Sequence, residues 1–143
     1  MSPLVRRILP SILVVYIAFV FVQSLFFKFT GAPESIHIFS TIGAWLGLPW
    51  FEPVGRYAVG LTELVASVLL LIPLLRPFGA ALAVMVMTGA IFFHLVSPLG
   101  VVVADDGGLL FTLACGVWLS GAAILVLDRD RVGASLARLR DRA

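Results

Sequence analysis

Four stretches of about 20 mostly apolar residues divide this chain, and each is long enough to cross a bilayer. A helix rises ~1.5 Å per residue, so about 20 residues span a hydrocarbon core of ~30 Å. The stretches cover 8–27, 57–75, 78–97 and 108–127, and each ends where charge, proline or glycine appears. Backbone N–H and C=O groups in lipid must be bonded within the segment, which makes these helices. The runs are continuous rather than alternating, which sets a β-barrel aside. Composition agrees, since 61% of the 143 residues are apolar and 13% are charged, against about half and about a quarter in soluble domains. The fold class is therefore an all-α membrane protein. Its expected form is a four-transmembrane-helix antiparallel bundle over 1–127, with a basic tail over 128–143. A soluble enzyme, a disordered chain and a nucleic-acid binder are excluded.

The first stretch is longer than the core of a cleaved signal, and no small-residue cleavage site follows it, so it is expected to stay in the membrane. Orientation follows from Lys and Arg. Arg6, Arg7, Arg76 and the five arginines of the tail share one side, where three aspartates leave a net +5. The other side sets Lys28 and Arg56 against Glu34, Glu52, Asp105 and Asp106, a net −2. Both termini are expected in the cytoplasm. The link Arg76-Pro77 is so short that the second and third spans must form an antiparallel hairpin. Small residues such as Gly79, Gly116 and Gly121 let the helix backbones approach closely.

Two segments lie outside the spans. In 35–46, Ile36, Phe39, Ile42, Trp45 and Leu46 recur at spacings of three and four, which predicts a short amphipathic helix in the first outer loop. Pro33-Glu34-Ser35 starts it, and Gly47 and Pro49 end it. Amphipathicity alone favours an interfacial anchor over a lid on a cavity. In the tail, Val132, Leu136 and Leu139 share a face of an arginine-rich segment, which predicts a basic helix on anionic lipid. It has no aromatic residues on which bases would stack.

The polar residues inside the spans share one level. Counted from the outer ends, Glu63 lies roughly 9 Å deep, Gln23 roughly 8 Å, Thr112 roughly 6 Å and His94 roughly 5 Å. Lys28 stands at the outer end of the first span. Ionisable groups in lipid are costly and face a bundle interior or a water-filled cavity. A common level on all four helices therefore predicts a shared pocket in the outer leaflet, lined by Gln23, Lys28, Glu63, His94 and Thr112. Glu63 is either a proton-handling or cation-binding carboxylate, or a structural clamp between helices. Lys28 can also snorkel to the interface. A metal site needs at least three converging ligands. His37, His94 and Glu63 supply three only if the loop helix folds inward, so no metal is assigned. Asp105-Asp106-Gly107-Gly108 reads as a solvated turn that starts a helix. Cys115 is the single cysteine, which excludes an internal disulfide.

Three short motifs then resemble the DoxX family of small four-helix membrane proteins. They are Ser24-Leu25-Phe26-Phe27-Lys28-Phe29-Thr30-Gly31, Gly60-Leu61-Thr62-Glu63-Leu64-Val65-Ala66 and Ala90-Ile91-Phe92-Phe93-His94. The resemblance covers residues from about 10 to 127. It implies that Lys28, Glu63 and His94 are the family's polar positions. It also implies a bacterial inner-membrane protein, because family members are linked to thiosulfate:quinone oxidoreduction as membrane subunits and to assemblies with redox-defence enzymes. No flavin, haem or iron–sulfur motif stands in the chain, so a redox cofactor is expected on another subunit. The expected function is an accessory membrane subunit of a quinone-linked redox assembly. The alternatives are a membrane enzyme or binder of a small hydrophobic ligand, with Glu63 and His94 as its candidate catalytic residues, and an assembly factor for other membrane proteins. The expected ligand is a quinone or lipid-like molecule. The expected partners are the bilayer and a membrane-associated oxidoreductase or a second copy of the chain.

Overall fold

A computed structural model describes residues 2–129 together with Gly133, Ala137 and Arg140. It contains five α-helices: α1 (Pro3–Thr30), α2 (Pro33–Leu46), α3 (Phe51–Leu71), α4 (Arg76–Val96) and α5 (Leu109–Leu127). Four of them, as Ile8–Thr30, Phe51–Leu71, Arg76–Val96 and Leu109–Leu127, are long and apolar enough to cross a membrane. The apolar face predicted for the tail, with Val132, Leu136 and Leu139, lies outside the described residues.

Local chemistry sets the helix ends. Pro3 opens α1, where its missing N–H is no loss. Gly31 closes it in the left-handed region at φ 68°, which glycine adopts without strain. Pro33 opens α2, and Gly47 at φ 70° closes it. The second span differs from its expected limits of 57–75. Helix α3 begins at Phe51 with a kink at Glu52 (φ −102°, ψ 122°), and Arg56 near its start is paired with Glu52. The helix also stops four residues early, before Pro73. The link to α4 is accordingly 72–75, and Arg76-Pro77 belong to the first turn of α4, where proline is tolerated.

The spanning helices form a ring in which α1 and α4 each pack between α3 and α5. Ile17, Phe21, Leu70, Val117 and Ile124 are fully buried at its centre. Lipid tails are as apolar as these side chains, so close van der Waals packing has to hold the helices together. Glycines supply it at the end of the bundle that carries the α3–α4 link. A Cβ on Gly79 would stand 2.7 Å from the Leu70 nitrogen and 2.8 Å from the Ala66 oxygen. A Cβ on Gly121 would stand 3.2 Å from the Ala80 oxygen. Thr62, Ser67 and Thr88 satisfy their hydroxyls on their own helices. Thr62 donates to the Ala58 carbonyl and Ser67 to that of Glu63. Trp118 Nε1 donates to Thr88 Oγ1 at 3.0 Å, joining α5 to α4.

Helix α2 lies across the other end of the bundle. Its buried residues are Ser35, Phe39, Ile42 and Gly43. Ile42 packs with Leu99 and Val103 of the α4–α5 loop. The Phe39 ring lies 5.8 Å from that of Phe51, and Trp45 meets Phe93 edge-on at 6.2 Å. Rather than lying on the interface as a simple anchor, α2 roofs the bundle.

Gly79→Ala is expected to lower unfolding stability in mixed detergent–SDS micelles by about 1–3 kcal/mol, since backbone atoms cannot yield to the new methyl. Gly89→Ala is the matched control, because nothing lies within 4 Å of its added Cβ. Equal midpoints for the two variants would show that the α3–α4 approach is looser than described.

Candidate ligand cavity

The polar centre begins with one ion pair. Lys28 Nζ donates to Glu63 Oε1 at 3.1 Å and lies 3.0 Å from Oε2. It also donates to Ser24 Oγ, one turn back on α1. Glu63 is 2% exposed and Lys28 12%, so the lysine turns inward instead of snorkelling outward. The pair bridges α1 and α3.

Arg56 braces this arrangement from α3. Its Nε and Nη2 bond the Glu52 carboxylate at 2.8–3.0 Å. Its Nη1 donates to the backbone carbonyl of Lys28. That oxygen is one of the last four of α1, which have no partner within the helix. The guanidinium also lies 4.5 Å from the centre of the Tyr57 ring, a cation–π distance. A single buried arginine thus fixes the backbone of Lys28 while Glu63 fixes its side chain.

His94 approaches from α4. Its Nδ1 lies 2.6 Å from the Gly100 carbonyl oxygen, and its ring meets Phe111 of α5 edge-on at 5.6 Å. The loop it bonds is held by Asp106, whose carboxylate accepts from the N–H groups of Leu110, Val103 and Gly108 at 2.8–2.9 Å. These bonds, led by that from Leu110, hold the Asp106 carboxyl below the usual carboxylate range.

Between these groups lies a cavity of about 710 Å³. Helices α1, α3, α4 and α5 form its sides and α2 its roof, with Phe21, Phe27, Ile38, Phe93 and Leu113 among its apolar walls. Gln23, Lys28, Glu63 and His94 all line it. Thr112 does not. It points outward and donates to the Gly108 carbonyl of its own helix at 2.9 Å. Thr112 has the right depth but stands on the face of α5 opposite to Ala114, which does line the cavity. His37 is exposed on α2 and does not line the cavity, although α2 folds over it. Among the described residues, no three of His, Cys, Asp and Glu gather in a way that could hold a metal ion.

The profile of the DoxX-like family matches residues 12–114. The chain belongs to the DoxX-like family. In comparisons with curated proteins and with solved structures, nothing matches. The matched stretch of this DoxX-like chain carries Lys28, Glu63, His94 and the bracing Arg56 and Asp106. Arg56, Asp106, Ser24 and Ser35 were not singled out as site residues by sequence reasoning. One signal was present: the i,i+4 spacing of Ser24 to Lys28 puts that pair on one helix face. Ser35, which is buried in the roof, offers no such signal.

Two measurements follow from this geometry. Lys28→Met and Glu63→Leu should each destabilise the protein by about 3 kcal/mol in SDS titrations, since each strands a buried charge. The double variant should regain most of that loss, whereas additive losses would mean the pair is not coupled. Asp106 titrates below its value in the unfolded chain, about 3.9, so its stabilisation is present above that pH and is lost as pH falls through the folded value. The gap in melting temperature between wild type and Asp106→Asn should hold steady from neutral pH down to about pH 5 and narrow below about pH 4. A gap that widens in acid would reverse the assignment.

Proposed function

We propose that this chain is the quinone-binding membrane subunit of a redox assembly whose electron-carrying cofactor sits on a partner chain. The cavity is the observation that carries this reading. Its volume of about 710 Å³ falls within the ~300–1,000 Å³ of small-molecule sites, which combine apolar walls with a few placed polar groups. A quinone has that form: a ring with two polar oxygens on an apolar tail. Its head fits the level of Lys28, Glu63 and His94, and its tail fits the walls formed by Phe21 and Leu113.

Access favours a molecule dissolved in the bilayer. Gln23, Phe27, Leu109 and Met85 line the cavity yet are exposed on the outside of the bundle. A lipophilic ligand can therefore pass between the helices without crossing water. The roof formed by α2 covers the end of the bundle, which suits a site that keeps a reactive head from bulk solvent. Membership in the DoxX-like family supports the redox setting, through the quinone-linked subunits that its members resemble. The charge bias of the connections supports a bacterial inner-membrane orientation with Arg76 on the cytoplasmic side and the cavity towards the outer leaflet.

The test is native mass spectrometry, with lipid extraction, on protein purified from quinone-containing membranes in mild detergent. Wild type should carry roughly one quinone per chain, held in the cavity beside Glu63. Glu63→Gln should lose it at an unchanged yield of folded protein. Deleting the chain should lower a quinone-linked dehydrogenase activity of the membranes. Bound phospholipid alone, with no activity changed by deletion, would refute the proposal.

A further inference from the structure

The two ring nitrogens of His94 have fixed and opposite roles. Nδ1 faces the Gly100 carbonyl at 2.6 Å. A carbonyl can only accept, so Nδ1 carries the proton, and Nε2 of the neutral ring keeps a lone pair. The carbonyl is not free to turn away. Its neighbours Leu99 and Val103 are buried against Ile42 of α2, and Asp106 ties the loop through three backbone N–H groups. Phe111 holds the ring from the side. None of the described residues hydrogen-bonds Nε2, and Nε2 is not among the sealed buried atoms. In a cavity-lining residue that is 7% exposed, this nitrogen is an open acceptor.

The other polar groups of fixed sense point the same way. Lys28 is the strong donor of the cavity, but its ammonium is committed to Ser24 and to the Glu63 carboxylate. The Asp106 oxygens are taken by backbone N–H groups. Glu34, at the rim, can only accept. Gln23 and Ser35 can serve in either sense. What the groups of fixed sense leave unmet is a donor for His94 Nε2.

We infer that the ligand brings this donor as a hydroxyl on its polar head, given to His94 Nε2. The inference deepens the quinone reading and rests on it. Of the two redox forms, the cavity selects the hydroquinone, which has O–H groups, over the quinone, whose oxygens only accept. His94 is then the residue that determines which form is held, and the loop from Leu99 to Asp106 positions it.

Wild-type protein in nanodiscs at pH 8 is titrated under argon with decylhydroquinone, decylquinone and the dimethyl ether of decylhydroquinone. Quenching of tryptophan fluorescence reports binding. One added hydrogen bond makes the hydroquinone about tenfold tighter than either of the others. His94→Phe brings the three within about twofold of one another while apolar binding persists. Equal or stronger binding of quinone or ether by wild type overturns the inference and leaves the cavity reading standing. No binding of any of the three by folded protein overturns both. Nitrogen-15 spectra of histidine-labelled wild type, with His37→Gln for assignment, test the tautomer without altering His94. A bare Nε2 whose resonance moves with hydroquinone and not with the ether supports the inference. A protonated Nε2 overturns it.

Discussion

A lysine ammonium and a glutamate carboxylate placed in hydrocarbon each cost several kcal/mol unless they meet. Lys28 and Glu63 meet at 3.0 Å, and much of the bundle is arranged so that they can. They stand on different helices, so α1 and α3 must keep one register. The close approach at Gly60, where an added Cβ would lie 3.3 Å from Phe29 and 3.5 Å from Lys28, sets the spacing of those helices. Arg56 then caps α1 at Lys28 itself. A slip of one residue along α3 would misplace both contacts together. The pair thus acts less as glue than as a register pin, the best-attested role of buried polar groups.

The same accounting explains why the cavity lies at the end covered by α2. Gly79 and Gly121 bring α4 against α3 and α5 at the end that carries the α3–α4 link, with backbone atoms within about 3 Å of where a Cβ would stand. Such contacts leave no space for a ligand. Further along α4 towards α2, Gly89 no longer makes a close contact; it faces open space and lines the cavity. Bulky walls at Phe21, Phe27 and Phe93 keep the helices apart there. A gap of that kind would expose Glu63 at the membrane surface if nothing covered it. Helix α2 covers it with a buried stripe of Ser35, Phe39 and Ile42, in which Ile42 packs on the α4–α5 loop and Phe39 meets Phe51 of α3.

Different parts of this arrangement were legible in the sequence to different degrees. The spans were visible because a bilayer demands long apolar runs, and the helix in the first outer loop because its period is helical. Depth along a span was also visible, since 1.5 Å per residue converts a position into a level. The direction of a side chain around the helix was not. Thr112 and Ala114 have nearly the same depth, yet only Ala114 reaches the cavity. Arg56 was hidden for another reason. A charge near a span end reads as a boundary, and only pairing with Glu52 inside α3 turns it into a buried brace. The role of α2 depended on contacts between Ile42 and residues about 60 positions away, at Leu99 and Val103. One apolar face gives no sign of whether it meets lipid or protein.

The polar groups of the cavity divide by whether the protein already uses them. Lys28, Glu63, Arg56 and Asp106 bond one another or the backbone and would do so in an empty bundle. Such groups shape a site without choosing its contents. Choice belongs to groups whose bonding capacity the fold leaves open, because only they gain a partner when a ligand enters. His94 bridges the two classes. One nitrogen is used up by the Gly100 carbonyl, and that bond fixes the character of the other. The chemistry presented to a ligand is thus set in a loop outside the spans, by a backbone oxygen and the aspartate that holds its loop in place. A chain that kept Lys28, Glu63 and His94 could change what it binds by reshaping that loop alone. Turning the Gly100 carbonyl away would free the tautomer, and the same histidine would then offer a donor.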